Sequence, residues 1–280
     1  MKLKYLILIL LFIPVKFSYS GEMSVYHYGF VENTETYLFG DNVRVRKDHV
    51  IQDGNITDVL NAGDKVTITG KTDKVMLVDG YKEYWYKISY KKNDKNCEGY
   101  AWGGLFSIGF SVKGDKLFLA GIKKYSPDKG FTAECRLVEK GKILSSVSFA
   151  PHYLPDGVNE GFYGYSISTE LLGGLGLEGI ENTFRIFCNY EACGYPRGNV
   201  WIGYGKDKLY FIGKDTSISE AGVFHVEEKY IFPADKKAGK DSVILINESY
   251  DFDETAGDYK LTEKKETEFI WKDNKLSPAK

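Results

Sequence analysis

Histidine is scarce: only His27, His49, His152 and His225 occur in 280 residues. None falls into an H-x-H or H-E-x-x-H spacing, which argues against the paired imidazoles of a zinc hydrolase. Net charge is also nearly missing, with 37 Lys plus Arg against 39 Asp plus Glu. Neutralising phosphates takes a basic excess, so nucleic acid is not an expected partner. There is no Gly-x-Ser-x-Gly elbow and no phosphate loop ending in Gly-Lys-Ser/Thr, and no cofactor or metal is expected. Beyond residue 20 no apolar run approaches the roughly 20 residues a bilayer span needs. Proline is rare at 7, against 30 Gly, 21 Tyr and 17 Phe. Aromatics separated by glycine turns favour sheets over helices. The 43% hydrophobic content is enough for packed cores.

The first twenty residues carry an address. Lys2 and Lys4 make a positive start, residues 6–15 are continuously apolar, and Ser18 and Ser20 are small residues just before Gly21. That order is the pattern of a cleaved secretory signal. An uncleaved anchor flanked by Lys16 is the other reading. No cysteine follows the run, so a lipidated mature terminus is not expected. The mature chain is then expected to be secreted or periplasmic, with no membrane span after cleavage.

Export makes the four cysteines candidates for disulfides. The shortest loop would join Cys188 to Cys193, leaving Cys97 to pair with Cys135. Four cysteines allow three connectivities, and spacing does not choose among them. A C-x4-C spacing without a nearby His is a poor zinc signature.

Residues 42–105 alternate short strands with turns. Val43 and Val45 alternate with Arg44 and Arg46, which read as solvated strand positions. The segment Lys65-Val66-Thr67-Ile68-Thr69 has period two, Asp79-Gly80 is a turn, and residues 84–90 form an aromatic strand. Five short strands in about 65 residues suggest a small closed barrel, which hides sheet edges. The ordered blocks Asn42-Val43-Arg44, Leu60 with Gly63-Asp64-Lys65-Val66, Trp85-Tyr86-Lys87-Ile88, Gly99-Tyr100-Ala101-Trp102 and Leu105 resemble a bacterial SH3 (SH3b) domain. The resemblance covers residues 38–107. It departs from the family at Lys47-Asp48-His49, where a Gly-Pro turn is usual, and at residues 71–82, a longer segment than usual. Those loops would flank a binding groove, so no ligand carries over.

Alternation then sorts the aromatics. With Tyr84, Tyr86, Ile88 and Ala101 facing the barrel core, Trp85, Tyr100 and Trp102 face outward together. These three are the candidate ligand surface, since flat rings with a polar edge suit a peptide or glycan. The competing reading is that a second domain covers them.

The expected fold class is all-β: a signal peptide over 1–20, an SH3-like small barrel over 21–107, and a larger β-sandwich or twisted-sheet domain over 108–280. Hairpins are expected around Lys113-Gly114-Asp115, residues 204–207 and Lys272-Asp273-Asn274. Their unequal spacing excludes a repeat fold. The glycine-rich segment 171–177 reads as a connector. The acidic group Glu248, Asp251, Asp253, Glu254 and Asp258 lacks the glycine and closing Glu of a helical calcium loop and reads as solvated. Two functions follow. One is an exported, non-catalytic binding protein that recognises a cell-envelope peptide, glycan or protein partner. The alternative is a peptidoglycan hydrolase targeted by its SH3b module. It would need Cys135 with His152 or His225, or Cys188 or Cys193 with His225.

Overall fold

The computed structural model describes residues 24–27, 29–152, 165–190, 192–235 and 242–279. Residues 1–20, the expected signal peptide, lie outside them. Among the described residues the chain is all-β apart from one turn of 3-10 helix over Gly103–Leu105.

The first sheet holds β2 (Glu35–Tyr37), β3 (Val43–Arg46), β4 (Ile56–Leu60), β5 (Lys65–Val78), β6 (Tyr81–Lys92) and β7 (Lys95–Trp102), in the order β2-β5-β6-β7-β3-β4. An antiparallel bridge between Leu38 and Phe106 adds a further tie beside β2. Period-two alternation turns Val43, Val45, Val66, Ile68, Tyr86, Ile88 and Ala101 into one buried core. Gly99 is required there because β3 crosses close over β7. A Cβ at Gly99 would lie 2.8 Å from the Arg46 carbonyl oxygen. β5 slips register between Ile68 and Gly70 and again between Lys71 and Val75, so its far half bends away with β6 as a projecting hairpin.

The second sheet, ordered β11-β10-β9-β8, comprises β8 (Gly109–Lys113), β9 (Lys116–Ser126), β10 (Gly130–Glu139) and β11 (Lys142–Phe149). The third holds β12 (Tyr165–Gly173), β13 (Asn182–Tyr190), β14 (Gly198–Gly205) and β15 (Lys208–Lys214), with β1 (Ser24–His27) paired to β12. Residues 24–27 therefore lie in a sheet of the C-terminal half, although the sequence reading placed them with the N-terminal module. The two sheets face each other across a core built from Phe118, Ala133, Cys135, Leu137, Phe184 and Ile202, among others. The fourth sheet, ordered β16-β17-β18-β19-β20, contains β16 (Ser217–Glu220), β17 (Phe224–Ile231), β18 (Ser242–Asp253), β19 (Asp258–Lys272) and β20 (Lys275–Pro278). It packs against the outer face of β14 and β15 through Trp201, Ile212, Phe232, Val243 and Trp271.

β9, over residues 118–122, and β14 are buried on both faces. Leu119 turns to Phe39 and Ala62 of the N-terminal module, while Phe118 and Ala120 turn to the opposite core. Val200 and Ile202 face one way, Trp201 the other. The 171–177 segment is a strand up to Gly173. Only its second half is a turn, with Leu175 and Gly176 at positive φ. The acidic group of residues 248–258 is spread over the β18–β19 hairpin. Glu248 pairs with Lys264 at 2.9 Å, and Asp253 accepts from the Thr255 and Ala256 amides.

Candidate functional site

The three outward aromatics share one wall. Trp85 is the direct cross-strand partner of Trp102, and Tyr100 pairs with Lys87 on the same face. That wall is not open. Trp85 and Trp102 are each 4% exposed and lie in the core that contains Tyr81, Ile108, Phe118 and Ile122. The Trp102 indole donates to the Glu83 carbonyl at 3.0 Å and the Met76 carbonyl at 3.2 Å. Tyr81 lies against Trp102 at 5.2 Å between centroids and meets Phe131 of β10 at 6.1 Å. Backbone bonding continues the dock, with the Tyr125 amide donating to the Asp79 carbonyl at 2.9 Å. The covering partner is therefore the second sheet, and a ligand surface on Trp85 and Trp102 is corrected to a buried dock. Tyr100 alone stays partly exposed, with His49 edge-on at 6.1 Å.

A second clamp holds the module to this sheet. Glu134, with its side chain 5% exposed, accepts from Lys123 at 2.5 Å and from Arg136 at 2.8 Å. Arg136 also donates to the Phe39 carbonyl at 2.6 Å and lies over the Phe39 ring at 4.0 Å. Burial by itself would raise the Glu134 carboxyl. The two cations outweigh it and hold the group below the ordinary range.

Arg44 is exposed, but Arg46 is buried and donates to the Gln52 carbonyl at 3.3 Å. The reading of both as solvated fails at Arg46, because a bulge between Val45 and Arg46 breaks the alternation.

The cysteines stand as four separate thiols, so neither the Cys188–Cys193 nor the Cys97–Cys135 bridge forms. Cys135 and Cys188 sit inside the core between the second and third sheets. Cys97 is half-buried on β7, and Cys193 is exposed in the β13–β14 turn. Burial, then the Glu134 charge, pushes the Cys135 thiol far up. Native labelling with a thiol reagent is expected to modify Cys193 fast and Cys97 slowly. Cys135 and Cys188 should react only after unfolding. Fewer than four thiols in the unfolded, unreduced protein would contradict this arrangement.

His152 is buried, and its Nε2 lies 3.4 Å from the Asn199 carbonyl oxygen. Burial pushes its imidazole down in pKa against the pull of that carbonyl. Asp215 lies nearby, but its carboxylate is committed to the Asn199 amide, the Asn199 side chain and the Trp201 indole at 3.0, 2.8 and 2.6 Å. His225 meets Tyr250 and Glu227. Among the described residues no three metal-ligating side chains converge.

The open recess of the first sheet lies on another side, and sequence reasoning missed it. A cleft of about 940 Å3 runs along β4 and the β6–β7 hairpin. Its walls carry Glu35, Asp64, Glu98, Lys65, Lys91 and Lys92, with asparagine and hydroxyl groups between them. None of residues 47–55 or 71–82 lines it. The cleft is held open from below. Asp58 of β4 accepts from Lys92 and, at 3.2 Å, from the Tyr90 hydroxyl, bracing β4 against β6. Burial would raise the Asp58 carboxyl, and those donors with the Val59 amide bring it down. Glu35–Lys65 and Lys87–Glu98 pairs, each 2.7 Å, stand at the rim.

No family model matches the chain, and no curated protein or solved structure matches it either.

Proposed function

We propose that this chain is an exported, non-catalytic binding protein whose SH3b-like module recognises a cell-envelope peptide or glycan in its polar cleft. The observation that carries the reading is the mixed charge of that cleft: three carboxylates and three ammonium groups line one recess. Alternating donors and acceptors suit a ligand that carries both, such as a peptide or an amino-sugar chain. They do not suit a polyanion. The volume lies within the roughly 300–1,000 Å3 of small-molecule sites. The leader pattern of residues 1–20 supports export, and the ordered SH3b-like blocks support the family reading of residues 38–107. The hydrolase alternative is the weaker reading, because Cys135 and Cys188 lie in a core, which leaves the exposed Cys193 as its nucleophile candidate.

The test is calorimetric titration of the whole chain with soluble peptidoglycan fragments. Saturable binding is expected, weakened about tenfold or about 1.4 kcal/mol by Asn96→Trp, which fills the exposed cleft without entering the core. Unchanged binding by that variant, or none by the wild type, would remove the reading.

A further inference from the structure

A second recess, independent of the polar cleft, lies where the second, third and fourth sheets meet. It measures about 520 Å3. Phe149, Phe211, Ile212, Tyr230, Phe269 and Leu276 supply its walls, and Lys214 is the one charged side chain among its lining residues. The local fold explains the opening. β15 is the edge of its sheet. Its register slips opposite Trp201 and Ile202, leaving Ile212 without a partner between Phe211 and Gly213. Such a bulge bends an edge and re-aims its side chains. Ile212 turns down into the Trp201 and Phe232 core, while Phe211 stays 40% exposed. Gly213 makes room for the tyrosine wall, since a Cβ there would lie 2.5 Å from the Tyr230 hydroxyl oxygen.

Among the described residues the charge at the rim is uncompensated. Lys214 is exposed and makes no ion pair among the described residues. The adjacent Asp215 carboxylate is turned inward to Asn199 and Trp201. An apolar trough with a single cation at its lip has few donors or acceptors. A peptide backbone laid there would lose its water without gaining partners. A hydrocarbon chain loses nothing, and one anionic head matches one ammonium.

We propose that this recess binds a single-chain amphiphile, an acyl chain ending in one carboxylate, with the chain along the aromatic walls and the head at Lys214 Nζ. The experiment is a fluorescence titration of the whole chain with 11-(dansylamino)undecanoic acid, followed by displacement with monomeric laurate, dodecanol and dodecyltrimethylammonium. One saturable site is expected, with laurate displacing the probe about fivefold better than dodecanol, the gain of one exposed ion pair. Lys214→Met should erase that preference and leave dodecanol unchanged. Phe211→Asp should abolish binding with an unaltered melting temperature. Each methylene added between eight and twelve carbons should tighten binding by up to about fourfold. Four results would overturn the proposal: no saturable site in the folded protein, equal displacement by acid and alcohol, preference for the trimethylammonium head, or binding to anionic phospholipid vesicles in place of the monomers.

Discussion

Replacing Trp102 with alanine is expected to lower folding stability by about 4 kcal/mol, the range found when a large aromatic is removed from a packed core. Three losses coincide at this position. The ring is 4% exposed and leaves a cavity between Tyr81 and Trp85. Its indole donor is lost from the Glu83 and Met76 carbonyls. The β5–β6 hairpin, which reaches the second sheet beside this ring, loses the group that ties both its strands together. An exposed ligand-contact tryptophan would behave differently, since surface substitutions usually change stability by about 0.5 kcal/mol or less. Denaturant unfolding of wild type and Trp102→Ala separates the two cases, and Trp102→Phe, which keeps most of the volume, should fall between them.

The Glu134→Gln substitution is expected to cost about 3 kcal/mol at neutral pH, because it leaves the partly buried Arg136, 18% exposed on its side chain, beside a neutral group. Lys123 is 48% exposed on its side chain and can return to water, which keeps the figure at the lower end of the range for broken buried pairs. The sign of the pH dependence follows from the depressed carboxyl. A group whose folded pKa lies below its unfolded value stabilises the fold fully above the unfolded value, near 4.3. That contribution fades as pH falls through the folded value. The stability gap between wild type and Glu134→Gln should therefore be widest near pH 7 and close progressively below about pH 4. A gap that stays constant down to acid denaturation would mean that the carboxylate is not paired in the folded protein.

Much of the N-terminal module was legible because its strands alternate. Val66, Ile68, Tyr86, Ile88 and Ala101 announced the buried face by period two, and all are in one core. The same alternation correctly grouped Trp85, Tyr100 and Trp102 on the other face. It could not say what lies over that face, because the covering residues Phe118, Ile122 and Phe131 come from later strands. A signal for the cover did exist. Leu117-Phe118-Leu119-Ala120 and Val200-Trp201-Ile202 are apolar at successive positions, the mark of strands buried on both faces. Such runs imply sheets covered on both sides, and the N-terminal module supplies one of the covers. Arg46 was misread for a local reason, a bulge with no sequence marker. The pairing of β1 with β12 joins residues more than a hundred positions apart, and nothing in residues 24–27 specifies such a partner. The two recesses were illegible for the same reason. The polar cleft needs β4 folded across β6, and the apolar trough needs three sheets to meet.

In the proposed function the N-terminal module spends its aromatic wall on its own chain and offers its polar cleft to a ligand. Hydrogen exchange of the Trp102 indole in the whole folded protein, resolved by nitrogen-15 NMR, tests this most directly. Protection approaching that of the slowest core amides, unchanged by peptidoglycan fragments that shift the Ser89 and Asn96 amides, is the expected result. Rapid exchange of that indole in the free protein, with protection appearing only when ligand is added, would contradict it.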